Sequence, residues 1–153
     1  MEAVIINVFY MIAFLFFGLV MEILTNALKK VAKYGWTKET IKLEGSVSLW
    51  MAPVYALLLT FVFMPLSDAI RFLPAWIQFF IYAPSFSSIE CGLGWFFEKV
   101  FGVVLWDYSE FDDVIYKYTR IQLFWCWGLA GLWLSSYVTL LKELAPAVVK
   151  FFT

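Results

Sequence analysis

The chain has 153 residues, of which 63% are hydrophobic and 15% charged, with a mean hydropathy of +0.83. A soluble domain of this size cannot hide so much apolar surface in one core, so the composition calls for lipid as solvent. The net charge of −1 excludes a basic field for nucleic acid, and the lack of His removes the commonest general base and metal ligand.

The first apolar segment is expected over 3–28, where Asn7, Glu22, Thr25 and Asn26 are the polar exceptions. Its leader carries Glu2 in place of Lys or Arg, and no small-residue cleavage site follows. It therefore reads as a retained spanning helix closed by Lys29 and Lys30, not as a signal peptide. The second segment, 45–66, is uncharged. It is long enough for a bilayer core roughly 30 Å thick, which takes about 20 helical residues. Pro53 is expected to kink it, and Pro65 lies near its end.

The third segment, 73–97, is interrupted by Glu90 and contains Pro74 and Pro84. This predicts a short interfacial stretch near Pro74–Trp76 and then a kinked span. The fourth, 121–141, is uncharged, and its Gly131 and Ser135 form a small-xxx-small pair that lets another helix approach closely. Beyond Lys142 and Glu143 the apolar tail, 144–153, contains Pro146 and is expected to lie along the membrane surface.

The expected fold is all-α. It is a single integral membrane domain over 1–153, a polytopic helix bundle of about four transmembrane helices arranged as two helical hairpins, the third helix kinked. Trp and Tyr, abundant here, favour the headgroup boundary, where the ring is in lipid and its polar atom has a partner. Cys91 and Cys126 lie in apolar stretches and read as packing residues, not as a disulfide.

Sidedness follows from the cations. The loops closing the two hairpins carry Lys29, Lys30, Lys33, Lys38, Lys42, Lys99, Lys117 and Arg120, against Arg71, Lys142 and Lys150 on the other side. The positive-inside rule then places both hairpin loops in the cytoplasm and both termini opposite. The hairpins also echo each other, with one buried Glu (Glu22, Glu90), a Lys-containing exit, a Trp (Trp36, Trp106) and an uncharged helix in turn. Such an echo is the pattern of parallel repeats.

Ionisable groups inside a membrane segment are costly, and they usually face protein or water. Glu22 and Glu90 are such groups. Both precede their loop by about two turns, and Asn26 shares the face of Glu22 one turn on. A polar site between helices one and three, formed by Glu22, Asn26 and Glu90, would bind a cation or amine or relay a proton. The alternative is that each Glu bonds a neighbouring helix and serves packing.

In the loop of the second hairpin, Trp106, Asp107, Tyr108 and Ser109 form an interfacial motif. Its Trp and Tyr suit the interface, while Asp107 and Ser109 can bond nearby backbone N–H groups and set a turn. Four acids, Asp107, Glu110, Asp112 and Asp113, would offer oxygen ligands to a hard cation, but EF-hand spacing is lacking and a structural turn is the better reading. No phosphate loop and no Cys–His or zinc arrangement occurs. The sequence therefore predicts no enzyme, no catalytic residue and no metal site, and it names no cofactor.

The run from Glu90 through Gly94 and Glu98 to Trp106-Asp107-Tyr108-Ser109 resembles the CmpB-like ABC-transporter type IV family, and the vertebrate transmembrane protein 229 group is similar. Gly18-Leu19-Val20-Met21-Glu22 resembles the family's earlier Gly-x-x-x-Glu element, and the stretch from Gly45 through Trp50 and Pro53 to Tyr55 its following helix. After the motif this chain reads Asp112-Asp113-Val114-Ile115-Tyr116-Lys117 where the family has Asn-x-x-Gly. The resemblance implies membrane location and fold. The expected function is a transport- or channel-type component with intramembrane carboxylates, and the alternative is a non-catalytic accessory subunit of a larger membrane complex. Expected partners are the lipid bilayer and either further copies of the chain or other membrane subunits, with no nucleic acid.

Overall fold

The computed structural model describes residues 1–42 and 44–153, leaving out the side chains of Ala32 and Ile41. Four long helices carry the fold. They are α1 (Glu2–Tyr34), α2 (Met51–Ile70), α3 (Ala75–Phe96) and α4 (Leu123–Phe152). A two-stranded antiparallel hairpin, β1 (Val114–Ile115) and β2 (Thr119–Arg120), pairs Val114 with Arg120 and Ile115 with Thr119. The protein is thus all-α, with almost no sheet. By length and composition α1, α2 and α4 can cross a membrane. α3 is long enough, but Gln78, Pro84, Ser85, Ser87, Ser88 and Glu90 keep it out of that apolar class.

The chain forms two compact units, residues 1–66 with 140–153, and residues 67–139. In the first, α1 buries Tyr10 and Phe14, four apart, and further along Ala27 and Val31, again four apart, so that each pair shares a face. Its other positions, Val4, Val8, Ile12, Phe16 and Val20, are apolar and exposed. A helix that is apolar all round needs an apolar surrounding, which lipid supplies. Gly35 ends α1 at φ 73, a left-handed conformation open to glycine, with its N–H donating to the Val31 carbonyl.

Two boundaries differ from the sequence expectation, the start of α2 and the end of α4. α2 starts at Met51, not 45, because Gly45 lies directly on the Ile23 carbonyl of α1, where an added Cβ would overlap backbone. Pro53 consequently sits in the first turn, where its missing N–H is not needed, and does not interrupt the span. Over Val54–Phe63 the helix widens to i→i+5 bonding, and this stretch ends immediately before Met64 and Pro65. α4 runs on through Lys142, Glu143 and Pro146 to Phe152, where a surface-lying tail beyond 141 is expected from sequence. Leaving the helix at Pro146 would expose several backbone groups to lipid, whereas continuing it forfeits a single bond.

In the second unit α3 begins after Pro74 and continues as one wider turn, Phe97–Phe101, to Gly102 at φ 66. Pro84 lies inside α3, and nearby hydroxyls bond back to the helix, Ser85 to the Ile81 carbonyl and Ser87 to that of Ala83. Glycines let α4 approach α3. A Cβ at Gly128 would overlap the Phe79 ring, and one at Gly131 the Tyr82 ring. Ser135, a turn after Gly131, bonds Ser67 at 2.7 Å. Phe86 stacks on Trp127 at 5.6 Å.

Candidate functional site

Glu22 lies in the first unit and Glu90 in the second, each with its own surroundings. In the first unit Gly18, Glu22, Asn26 and Lys30 recur every fourth residue on α1 and share a face. At Gly18 a Cβ would overlap the Tyr55 ring. Glycine lets that ring lie on α1, and its hydroxyl donates to Glu22 Oε2 at 2.6 Å. One turn on, Asn26 Nδ2 donates to the Ser46 carbonyl at 2.7 Å, and Lys30 Nζ donates to the Glu44 carbonyl at 3.0 Å. This face fastens the chain entering α2. Glu22 is half-buried, and among the described residues Tyr55 is its one hydrogen-bond donor.

Glu90, in the second unit, is differently placed. It is 8% exposed, and both carboxyl oxygens are engaged. Tyr108 Oη donates to Oε1 at 3.1 Å, while Thr119 Oγ1 and, at 3.1 Å, Trp127 Nε1 donate to Oε2. The three donors come from the 102–113 loop, β2 and α4. Glu90 therefore ties loop, hairpin and helix together at one point.

The Trp-Asp-Tyr-Ser motif supplies much of this fastening. Trp106 Nε1 donates to the Tyr118 carbonyl at 2.7 Å. Asp107 Oδ1 accepts the Ser109 N–H at 2.8 Å and its hydroxyl, closing a turn that presents Tyr108 to Glu90. Glu98 accepts from Lys117 Nζ at 2.7 Å and from the Tyr118 hydroxyl at 2.9 Å. The Tyr118 side chain lies over Gly94, where a Cβ would crowd it. Arg120 Nε donates to Asp113 at 2.8 Å, and the guanidinium lies 3.6 Å from the centre of the Phe111 ring.

These pairs set the loop's charges. The Lys117 ammonium, then the Tyr118 hydroxyl, hold Glu98 below the usual carboxylate range, and Glu98 raises Lys117 in return. Asp107 is lowered by the Ser109 side chain and N–H. Asp113 is lowered first by the Gln122 N–H and then by Arg120. Asp107 and Asp113 thus already serve loop structure.

Glu22 and Glu90 belong to different units, and each has its own donors. The amide of Asn26 serves Ser46. Tyr55, Thr119 and Trp127 are site residues that the sequence reading did not single out. Trp127 had a signal, an indole N–H inside an uncharged segment that needs an acceptor. Thr119 had none.

The family described as "Putative ABC-transporter type IV" matches residues 8–152. No curated protein and no solved structure matches the chain.

Proposed function

Because the chain belongs to this ABC-transporter type IV family of membrane proteins, we propose that it is a transport- or channel-type component in which Glu22 faces the polar route. The observation that carries the reading is the contrast between the two carboxyl groups. Glu90 is enclosed by three donors, whereas Glu22 is half-buried with one neutral donor, Tyr55. A carboxylate in an apolar segment with a single neutral donor favours a cation or proton beside it. Glu90 and the Trp106–Ser109 turn hold the loop in shape and take no part in ion contact.

Four helices are few to enclose a pathway, so identical copies complete it. The hairpin loops face the cytoplasm on the count of cations, and the role is not catalytic. Native mass spectrometry of the gently extracted protein tests this assembly. A homo-oligomer is the expected result. Fixed stoichiometry with foreign chains would instead make the protein an accessory subunit and Glu22 an assembly contact.

A further inference from the structure

Two loops close the hairpins, and their charges are treated in opposite ways. In the loop after α3, Lys117 is paired with Glu98 and Arg120 with Asp113. Between residues 29 and 44, five lysines stand against two glutamates, Glu39 and Glu44, leaving three uncompensated positive charges. Among the described residues none of Lys29, Lys30, Lys33, Lys38 and Lys42 forms an ion pair. All five are exposed.

This segment is also held in shape. Lys30 binds the Glu44 carbonyl. The Thr40 hydroxyl donates to the Gly35 carbonyl at 2.7 Å and accepts the Thr37 N–H at 2.7 Å, while the Thr40 N–H donates to the Thr37 hydroxyl at 3.1 Å. That turn carries Lys38 and Glu39 outward. Around the lysines stand exposed Tyr34, Trp36 (71% exposed), Leu49 (85%) and Trp50. Exposed aromatic and aliphatic groups next to ammonium groups that form no ion pair, one of them Lys33 over the Tyr34 ring at 5.4 Å, match the headgroup boundary, where apolar rings enter lipid and cations meet phosphate.

We propose that this basic lip at the end of α1 is a binding site for anionic phospholipid, with Lys29, Lys33, Lys38 and Lys42 on the phosphate esters and Tyr34 and Trp36 in the acyl boundary. The ligand chemistry is a phosphate ester carrying net negative charge, and the source is the surrounding membrane. The site does not depend on the transport reading, since it needs only the chain's place in a bilayer. A lysine at an anionic membrane surface is worth about fivefold in affinity, so three uncompensated lysines give a preference on the order of 100-fold.

The test is native mass spectrometry of the solubilised full chain, titrated with phosphatidylglycerol and phosphatidylcholine at equal concentrations. Phosphatidylglycerol is expected to be retained about 100-fold more strongly, with the preference falling as salt rises. The triple variant Lys33→Gln, Lys38→Gln, Lys42→Gln is expected to bring the two lipids to near parity. The corresponding triple Lys→Arg variant keeps the preference, as does Lys99→Gln in the other loop. Parity in the unaltered protein, or a preference that survives the triple Gln variant, overturns the site. Inorganic phosphate that displaces phosphatidylglycerol at equal concentration shows a free-anion site and overturns the lipid assignment. Lysine-dependent retention of an acidic protein without any lipid preference does the same.

Discussion

Replacing Glu90 by Leu removes the acceptor of three donors at once while keeping an apolar side chain of similar reach. The Trp127 N–H is fixed by its ring and cannot turn elsewhere, whereas the Thr119 and Tyr108 hydroxyls can rotate to other acceptors. Side-chain hydrogen bonds within membrane proteins are worth roughly 0.6 kcal/mol on average and up to about 1.7. For three bonds the expected loss is about 2–5 kcal/mol. At roughly 2–4 °C per kcal/mol this lowers the melting temperature by about 4–20 °C. Glu90→Gln retains a carbonyl acceptor and should lose less, and Tyr108→Phe, which removes one 3.1 Å bond, should lose about 1 kcal/mol. Thermal unfolding in detergent, followed by tryptophan fluorescence, reads all three. Glu90→Leu melting within 2 °C of the unaltered protein, half of the roughly 4 °C expected at the least, would refute the idea that Glu90 ties the loop to the helices.

Other consequences are open to the same assay. Gly45→Ala drives a Cβ into the Ile23 carbonyl, which cannot rotate away, and is expected to cost about 1–3 kcal/mol. Gly92→Ala, with open space around it, is expected to be neutral or to stabilise α3 slightly. Tyr116 holds φ 51 in the turn closed by the Tyr118 N–H on the Ile115 carbonyl, and its side chain is largely exposed. Tyr116→Asn should therefore raise stability by about 0.5–1 kcal/mol, because Asn enters the left-handed region at less cost. The Glu98–Lys117 pair gives a pH window. The lowered Glu98 contributes stability above the ordinary carboxyl value of 4.5 and loses it as pH falls further. The raised Lys117 contributes below 10.5 and loses that contribution as pH rises beyond it. Loop protection in hydrogen exchange should fall at both extremes, and Lys117→Gln should remove the pair's share of that dependence.

Much of the fold was legible because lipid leaves a chain few choices. Long uncharged runs must close their backbone bonds internally, so helices over the four apolar regions follow from composition. Their ends were less legible. The start of α2 is set by contact between Gly45 and the Ile23 carbonyl, twenty-odd residues apart, which local hydropathy does not register. Pro146 reads as a helix breaker by the rules for water, yet within an apolar helix one lost bond costs less than several exposed ones.

At the sites, spacing carried part of the information. Gly18 and Glu22, four apart, share the face that receives Tyr55. The hairpin left no such trace, since its turn places Tyr116 and Lys117 at positive φ, where Asn or Gly is the usual signal. Without that signal, Thr119 could not be placed beside Glu90 from sequence.

The central claim, that Glu22 faces a polar route, is tested most directly by flux. The full chain is reconstituted into liposomes loaded with a pH-sensitive dye, and proton entry is driven by a potassium diffusion potential. Parallel vesicles report sodium entry. One of these fluxes is expected to fall at least about tenfold in Glu22→Gln, the order expected when a partner charge in an apolar segment is removed, while Glu22→Asp retains part of it and assembly is unchanged. Flux in Glu22→Gln equal to that of the unaltered protein, with intact assembly, would contradict it.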